Sequence, residues 1–264
     1  MEILGAGSAS SKLFLRLALA VLPVALAAVA APAPAAAAPV AGTSSLRVLD
    51  IAGVENRTNG KIFAVGARGA TYTCSGTAID TPSRSIVLTA GHCIVEGGVA
   101  GRSFTFVPAY DHGARPFGTF TATAAYAMPQ WRKRGNPGFD VGAIRVRPNR
   151  FGRLGDVTGV RPWTTGKSRF ARYRILGYPA GALQGESLRS CDTKGLGSDP
   201  LTNGFGGPPT VPGRCDMAGG SSGGAWLVNG YVAGITSYGY TRNLGRLYSP
   251  YFGPAVGSFL RGLP

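Results

Sequence analysis

The chain has 264 residues, with 27 Lys and Arg against 12 Asp and Glu, two histidines, four cysteines, 41 glycines and 19 prolines. That length suits one domain or two small ones packed together, and the glycine and proline content argues for many turns and few long helices. The formal charge of +15 raises nucleic acid and anionic polymers as partners, but the arginines are scattered, which argues against a nucleic-acid site and for a solvated basic surface.

At the start of the chain, Lys12 and Arg16 precede the apolar run LALAVLPVALAAVA, and small residues follow in APAPAAAAPVAG. A charged segment, an apolar segment and a small-residue cleavage zone are the marks of a secretory signal. The run from Leu17 to Ala30 is interrupted by Pro23 and falls short of the roughly 20 residues a membrane-spanning helix needs. Residues 1–38 are therefore read as a signal peptide, and residues 39–54 as a lead-in or short pro-segment. The expected product is secreted and extracellular, carries a charge of +14, and has no stable membrane insertion.

After residue 54, short β-prone runs alternate with turns: KIFAVGA, SIVLTA, SFTFVPAY, GTFTATAAYA, FDVGAIRV, ARYRILGYPA, GAWLVNG and YVAGITSYGY. Many short strands at this spacing predict an all-β sandwich or barrel. WLVNGYVAGI reads as a hairpin with Asn229-Gly230 as its type I′ turn. Segments 131–138 and 195–213 read as loops, residues 151–167 as a join between two β units, and Pro254–Leu260 as a short helix.

Cys74, Cys93, Cys191 and Cys215 make an even count behind a secretory signal, which implies two disulfides. Three pairings are open; the sequential one closes a short loop in each half of the chain. A metal site is not expected, because no C-x-x-C spacing occurs and only two histidines are present.

Three stretches carry chemistry. TAGHC places His92 where an apolar strand ends, next to a disulfide cysteine. FDVGAIRV places Asp140 at the opening of an apolar strand, where an unpaired carboxylate would be costly. GGSSGGAW sets Ser221 and Ser222 between glycine pairs that let the backbone bend tightly. His112 lies in PAYDHGARPFG and reads as a turn residue.

TAGHC, an Asp before an apolar strand and a G-x-S-G-G loop, in that order, resemble the chymotrypsin-fold serine peptidases. CSGTAI, FVPAYDHGARPFGTF and CDMAGGSSGGAW make the bacterial glutamyl-endopeptidase-like branch the nearest resemblance, over residues 55–255. The resemblance implies two antiparallel six-stranded β-barrels, over residues 55–155 and 156–264, with the active site in the cleft between them and a short C-terminal helix. It implies a Ser222 nucleophile, a His92 base, an Asp140 orienting acid, and an oxyanion hole from the amides of Gly220 and Ser222, with no cofactor. Ser221 stands where trypsin-like animal relatives carry the Asp that pairs with a newly cut N-terminus, so that activation route is not expected. Ser237, Tyr238 and Gly239 match the edge that pairs with extended substrate. Glutamyl-specific relatives carry a His on this strand, where this chain has Thr236 and Ser237. Asp216, six residues before Ser222, matches the pocket-base acid that selects Arg or Lys. The implied function is a monomeric, secreted endopeptidase acting on proteins or peptides, whose basic surface could also meet anionic cell-surface polymers. The rival reading is a non-catalytic extracellular binding protein on the same fold.

Overall fold

The computed structural model describes residues 47–48, 53–181, 184–217, 219–241 and 245–264. The signal-peptide reading falls outside these residues. None of the helices described is long and apolar enough to cross a membrane.

Fifteen strands follow in chain order: β1 (Arg47–Val48), β2 (Asn59–Val65), β3 (Thr71–Ile79), β4 (Ile86–Thr89), β5 (Val95–Glu96), β6 (Val99–Ala100), β7 (Ser103–Pro108), β8 (Phe120–Ala127), β9 (Gly142–Val146), β10 (Arg172–Gly177), β11 (Arg189–Lys194), β12 (Val211–Arg214), β13 (Ala225–Val228), β14 (Tyr231–Ile235) and β15 (Arg246–Ser249). Among the described residues, α1 (Val54–Thr58), α2 (Pro129–Arg134) and α3 (Leu154–Thr158) lie between strands, and α4 (Pro254–Arg261) follows the last of them.

The first half closes as a six-stranded barrel, β2-β3-β4-β9-β8-β7, and β5 and β6 form a separate hairpin. Every neighbouring pair in the barrel is antiparallel. The second half also uses six strands, β10 to β15, arranged as β11-β10-β13-β14 and β12-β15. Two isolated antiparallel bridges, Gly195–Gly213 and Tyr238–Tyr248, join these sheets at both ends, so the second ring closes through single bridges rather than full ladders. β1 adds to the outer edge of β11, pairing Arg47 with Ser190 and Val48 with Arg189.

One core crosses the boundary between the halves. Ile62, Val87, Phe106, Phe120 and Ile144 of the first barrel share a buried cluster with Leu176, Tyr178, Leu227, Phe252 and Leu260 of the second. A smaller cluster, centred on Trp226 with Tyr173, Ile175, Val211 and Leu247, fills the second barrel. The β13–β14 turn has Asn229 and Gly230 both at positive φ, 50° and 82°, as a type I′ turn requires. The cysteines take the sequential pairing, Cys74–Cys93 and Cys191–Cys215.

Three local expectations change. Residues 131–138 are not all loop: α2 ends at Arg134, and a 3-10 turn spans Pro137–Phe139. Asp140 closes that turn instead of opening the strand, which begins at Gly142. The cause is Asn136, whose Oδ1 accepts from Gly138 N at 3.0 Å and caps the turn started by Pro137. Within 195–213, Pro200–Phe205 is a 3-10 helix capped by the Asp199 side chain, and Val211–Gly213 belongs to β12.

Trp226 is fully buried and its Nε1 donates to Thr236 Oγ1 at 3.0 Å. Trp226→Ala should lower the unfolding free energy by about 3–5 kcal/mol, from the cavity left by a large aromatic. The check is a urea titration in which the midpoint falls and the slope is unchanged.

Candidate active site

His92, Asp140 and the Ser222 loop arrive from different elements. β4 ends at Thr89 and the chain turns at once, with Cys93 N bonded to Ala90 O and Ile94 N to Gly91 O. This turn presents His92 to Asp140, which the 3-10 turn before β9 delivers. His92 N donates to Asp140 Oδ1 at 2.7 Å, and His92 Nδ1 lies 2.7 Å from Asp140 Oδ2. Ser237 Oγ donates to the same Oδ2. Asp140 is 1% exposed, yet three groups meet its carboxylate, which removes the penalty of burying it alone.

Burial works against charging the His92 ring. The Asp140 charge and hydrogen bond, with the Glu96 charge behind them, outweigh it and hold the imidazole above its ordinary value of 6.5. With Nδ1 engaged by Asp140, Nε2 is the ring nitrogen left to exchange a proton with a ligand.

The GGSSGG loop belongs to the second barrel but is bonded into the first. Ser75 on β3 donates its N–H to Ser222 O at 2.7 Å and its hydroxyl to Gly220 O at 2.8 Å. The same hydroxyl accepts from Tyr178 N at 2.9 Å. Thr89, the first residue of TAGHC, donates its hydroxyl to Ser75 O at 2.8 Å. A Cβ on Gly223 would collide with Thr89 Oγ1 and Ser75 O, so glycine there lets the loop press against TAGHC. Ser222 O also lies 3.9 Å from Cys93 Sγ, which brings Ser222 beside the residue that follows His92. Among the described contacts, no hydrogen bond joins Ser222 to His92; in free enzymes such bonds often form fully only around substrate.

The loop amides divide into two sets. Gly223 N donates to Thr236 O and Gly224 N to Ser221 O. Among the described contacts, the N–H groups of Gly220 and Ser222 have no protein acceptor. Gly220 sits at φ +89°, and a Cβ there would lie 2.7 Å from Tyr178 O. Glycine is thus required at this position of the loop. Ser221 is buried and packs its Cβ toward Gly177.

A cleft of about 800 Å³ opens beside this group, lined in part by His92, Trp131, Arg134, Phe205, Ser237 and Tyr238. Ser237 N donates to Tyr248 O, and Tyr238 O accepts from Tyr248 N. The Tyr238 backbone therefore closes the barrel, and what it presents to the cleft is its side chain. Tyr238 and Tyr240 both donate to Oδ2 of buried Asp199 at 2.8 and 2.7 Å. Thr236 is buried and its hydroxyl is taken by Trp226. Asp216 is exposed rather than enclosed. His112 lies in its predicted turn, at φ 43° and paired with Asp111. Cys74, His92 and Cys93 lie close enough together to suggest a metal site, but both sulfurs are spent in a disulfide and cannot act as thiolate ligands.

Sequence reasoning missed Ser75, Trp131, Asn136 and Asp199. Ser75 was in plain view inside CSGTAI; the other three stand in segments read as loops.

Residues 51–253 match the trypsin family. The chain belongs to that family. With the protease structures that follow, this match makes the chain a serine endopeptidase. Among solved structures it is similar to the protease Anisep from Arthrobacter nicotinovorans, at 38% identity and a TM-score of 0.71, over 76% of this chain and 93% of that one. It is also similar to the thermostable serine protease AL20 from an extremophilic microorganism, at 29% identity and 0.72, over 79% and 97%. A Glu endopeptidase matches at 17% identity and 0.68, over 83% and 96%, a likeness that shows the shared fold alone. No curated protein sequence matches the chain.

The raised His92 value has a testable sign. In an NMR titration the His92 ring should titrate above 6.5, and Glu96→Gln should move it down by removing one of the charges that raise it. Because the folded chain holds this proton more tightly, the pair's contribution to stability is complete below about 6.5 and is lost as pH rises through the folded value.

Proposed function

We propose that Ser222, His92 and Asp140 form the catalytic triad of a secreted endopeptidase. Ser222 Oγ adds to the scissile carbonyl carbon while its proton passes to His92 Nε2. The oxyanion is met by the N–H groups of Gly220 and Ser222. The tetrahedral species collapses, the C–N bond breaks, and His92 returns the proton to the leaving amine. Water then repeats the sequence on the acyl-enzyme, and His92 again takes and returns the proton. Asp140 keeps Nδ1 protonated and stabilises the imidazolium. The observation that carries this reading is the buried Asp140 carboxylate bonded to both His92 nitrogens it can reach and to Ser237, with the Ser222 loop clamped alongside.

Secretion is supported by the leader pattern and by two disulfides, which persist in oxidising compartments. A preference for Arg or Lys before the cut rests on the six-residue register of Asp216. Its exposed carboxylate has no ion-pair partner among the described residues and is open to a cationic side chain.

Ser222→Ala should lose labelling by a serine-directed phosphonate and lower kcat by about 10⁴-fold or more, measured on purified, folded protein. Labelling that survives the substitution would remove Ser222 as the nucleophile. Asp216→Asn should reduce cleavage after Arg and Lys selectively; an unchanged cut-site profile in a digested peptide mixture would show that Asp216 selects nothing.

A further inference from the structure

The cleft beside His92 carries charges the triad does not use. α2 ends in Arg132, Lys133 and Arg134, all exposed, and all three line the cleft. Cations in the last turn of a helix are ordinarily stabilised by its dipole. Here, though, none of the three has a carboxylate partner among the described residues. The acids nearby are otherwise engaged: Asp140 holds His92 and Ser237, and Asp199 holds Tyr238 and Tyr240. Glu96, exposed on β5, lines the cleft with no ion pair among the described residues, one such acid against three cations.

The basic wall is also held in place from both sides. Trp131 Nε1 donates to Val95 O at 2.9 Å, tying α2 to β5, and its ring stands edge-on to His92 with centroids 6.2 Å apart. Asn136, 3% exposed, donates Nδ2 to Phe205 O at 2.7 Å and Gly206 O at 3.3 Å. That buried amide joins the segment just after the basic wall to the end of the 3-10 helix, whose Phe205 also lines the cleft. The charges thus sit on a preorganised surface, so a ligand need not order it on binding.

We infer that this cleft selects acidic side chains two to four residues before the scissile bond. An extended peptide advances about 3.3 Å per residue. Ser237 and Tyr238 line the same cleft as His92, Trp131 and the three cations, so a chain lying along Ser237–Gly239 with its reacting carbonyl at Ser222 would run along a lining that holds the basic wall. The substrate class is a peptide with Asp or Glu upstream of the cut. This inference rests on the Ser222 reading.

The test uses the processed chain and paired fluorogenic peptides. The pair shares the residue before the cut and differs only in Asp or Glu against Asn or Gln two to four residues upstream. At low ionic strength the acidic peptide should have the higher kcat/KM, by about threefold to tenfold, the range for one to three exposed ion pairs. The ratio should shrink toward one in 0.5 M salt, where screening lengths fall to a few ångströms. Replacing Arg132, Lys133 and Arg134 together by Gln should bring the ratio near one, and Arg132→Glu with Arg134→Glu should invert it. No preference in the unmodified chain, or one that survives the triple replacement, would overturn the inference. Phosphonate labelling runs in parallel: labelling with no acidic preference sinks this inference alone, whereas no labelling sinks the Ser222 reading beneath it.

Discussion

One serine on a first-barrel strand carries the join on which the site depends. Ser75 bonds through its amide and hydroxyl to Ser222 O, Gly220 O and Tyr178 N, and its own carbonyl is held by Thr89. Those bonds fix the loop of the second barrel against the turn that carries His92 in the first. Neither barrel holds a complete site. The geometry exists only where β3 and the GGSSGG loop meet, and the continuous core beneath them keeps that contact from shearing.

The Asp140 carboxylate shows how the cost of burial becomes positional information. An isolated buried charge is strongly unfavourable, so the fold must supply donors from wherever the chain can reach. They come from the backbone and ring of His92 and from Ser237, nearly a hundred residues away. Each bond that relieves the carboxylate also fixes the orientation of a neighbour. Asp199 repeats the pattern further along the cleft, where two tyrosine hydroxyls satisfy it and thereby set the aromatic wall.

The chemical motifs were readable because reactivity needs particular residue types at particular places: TAGHC, FDVGA and GGSSGG announce themselves without any alternation pattern. Strands whose two faces differ, such as β2 and β7, were readable from apolar spacing. β3 was not counted, since Cys74, Ser75 and Gly76 interrupt it: Cys74 joins Cys93 in a disulfide, Ser75 bonds the GGSSGG loop, and Gly76 sits where a Cβ would meet Val87 and Ile62. β11 and β12, RSCDTK and VPGR, lack apolar runs and are strands because their neighbours pair with them. α2 was hidden by WRKRGNPG, a polar stretch that is in part a helix end, capped by Gly135 in the left-handed conformation and tied to β5 through Trp131. Long-range partners such as Tyr238 for Asp199 leave no local trace at all.

The segments that flank the two barrels cross over. β1 lies on the edge of the second barrel before the chain enters the first, and after the second barrel the chain returns so that Pro264 O accepts from Ser83 of the first at 2.6 Å. Val256, Leu260 and Leu263 of that returning segment sit in the shared core. Each half is therefore belted by a piece of chain that belongs, in order, to the other. A break in the connection between the barrels would leave two fragments that still wrap one another, and loosening either half would slacken the belt of its neighbour.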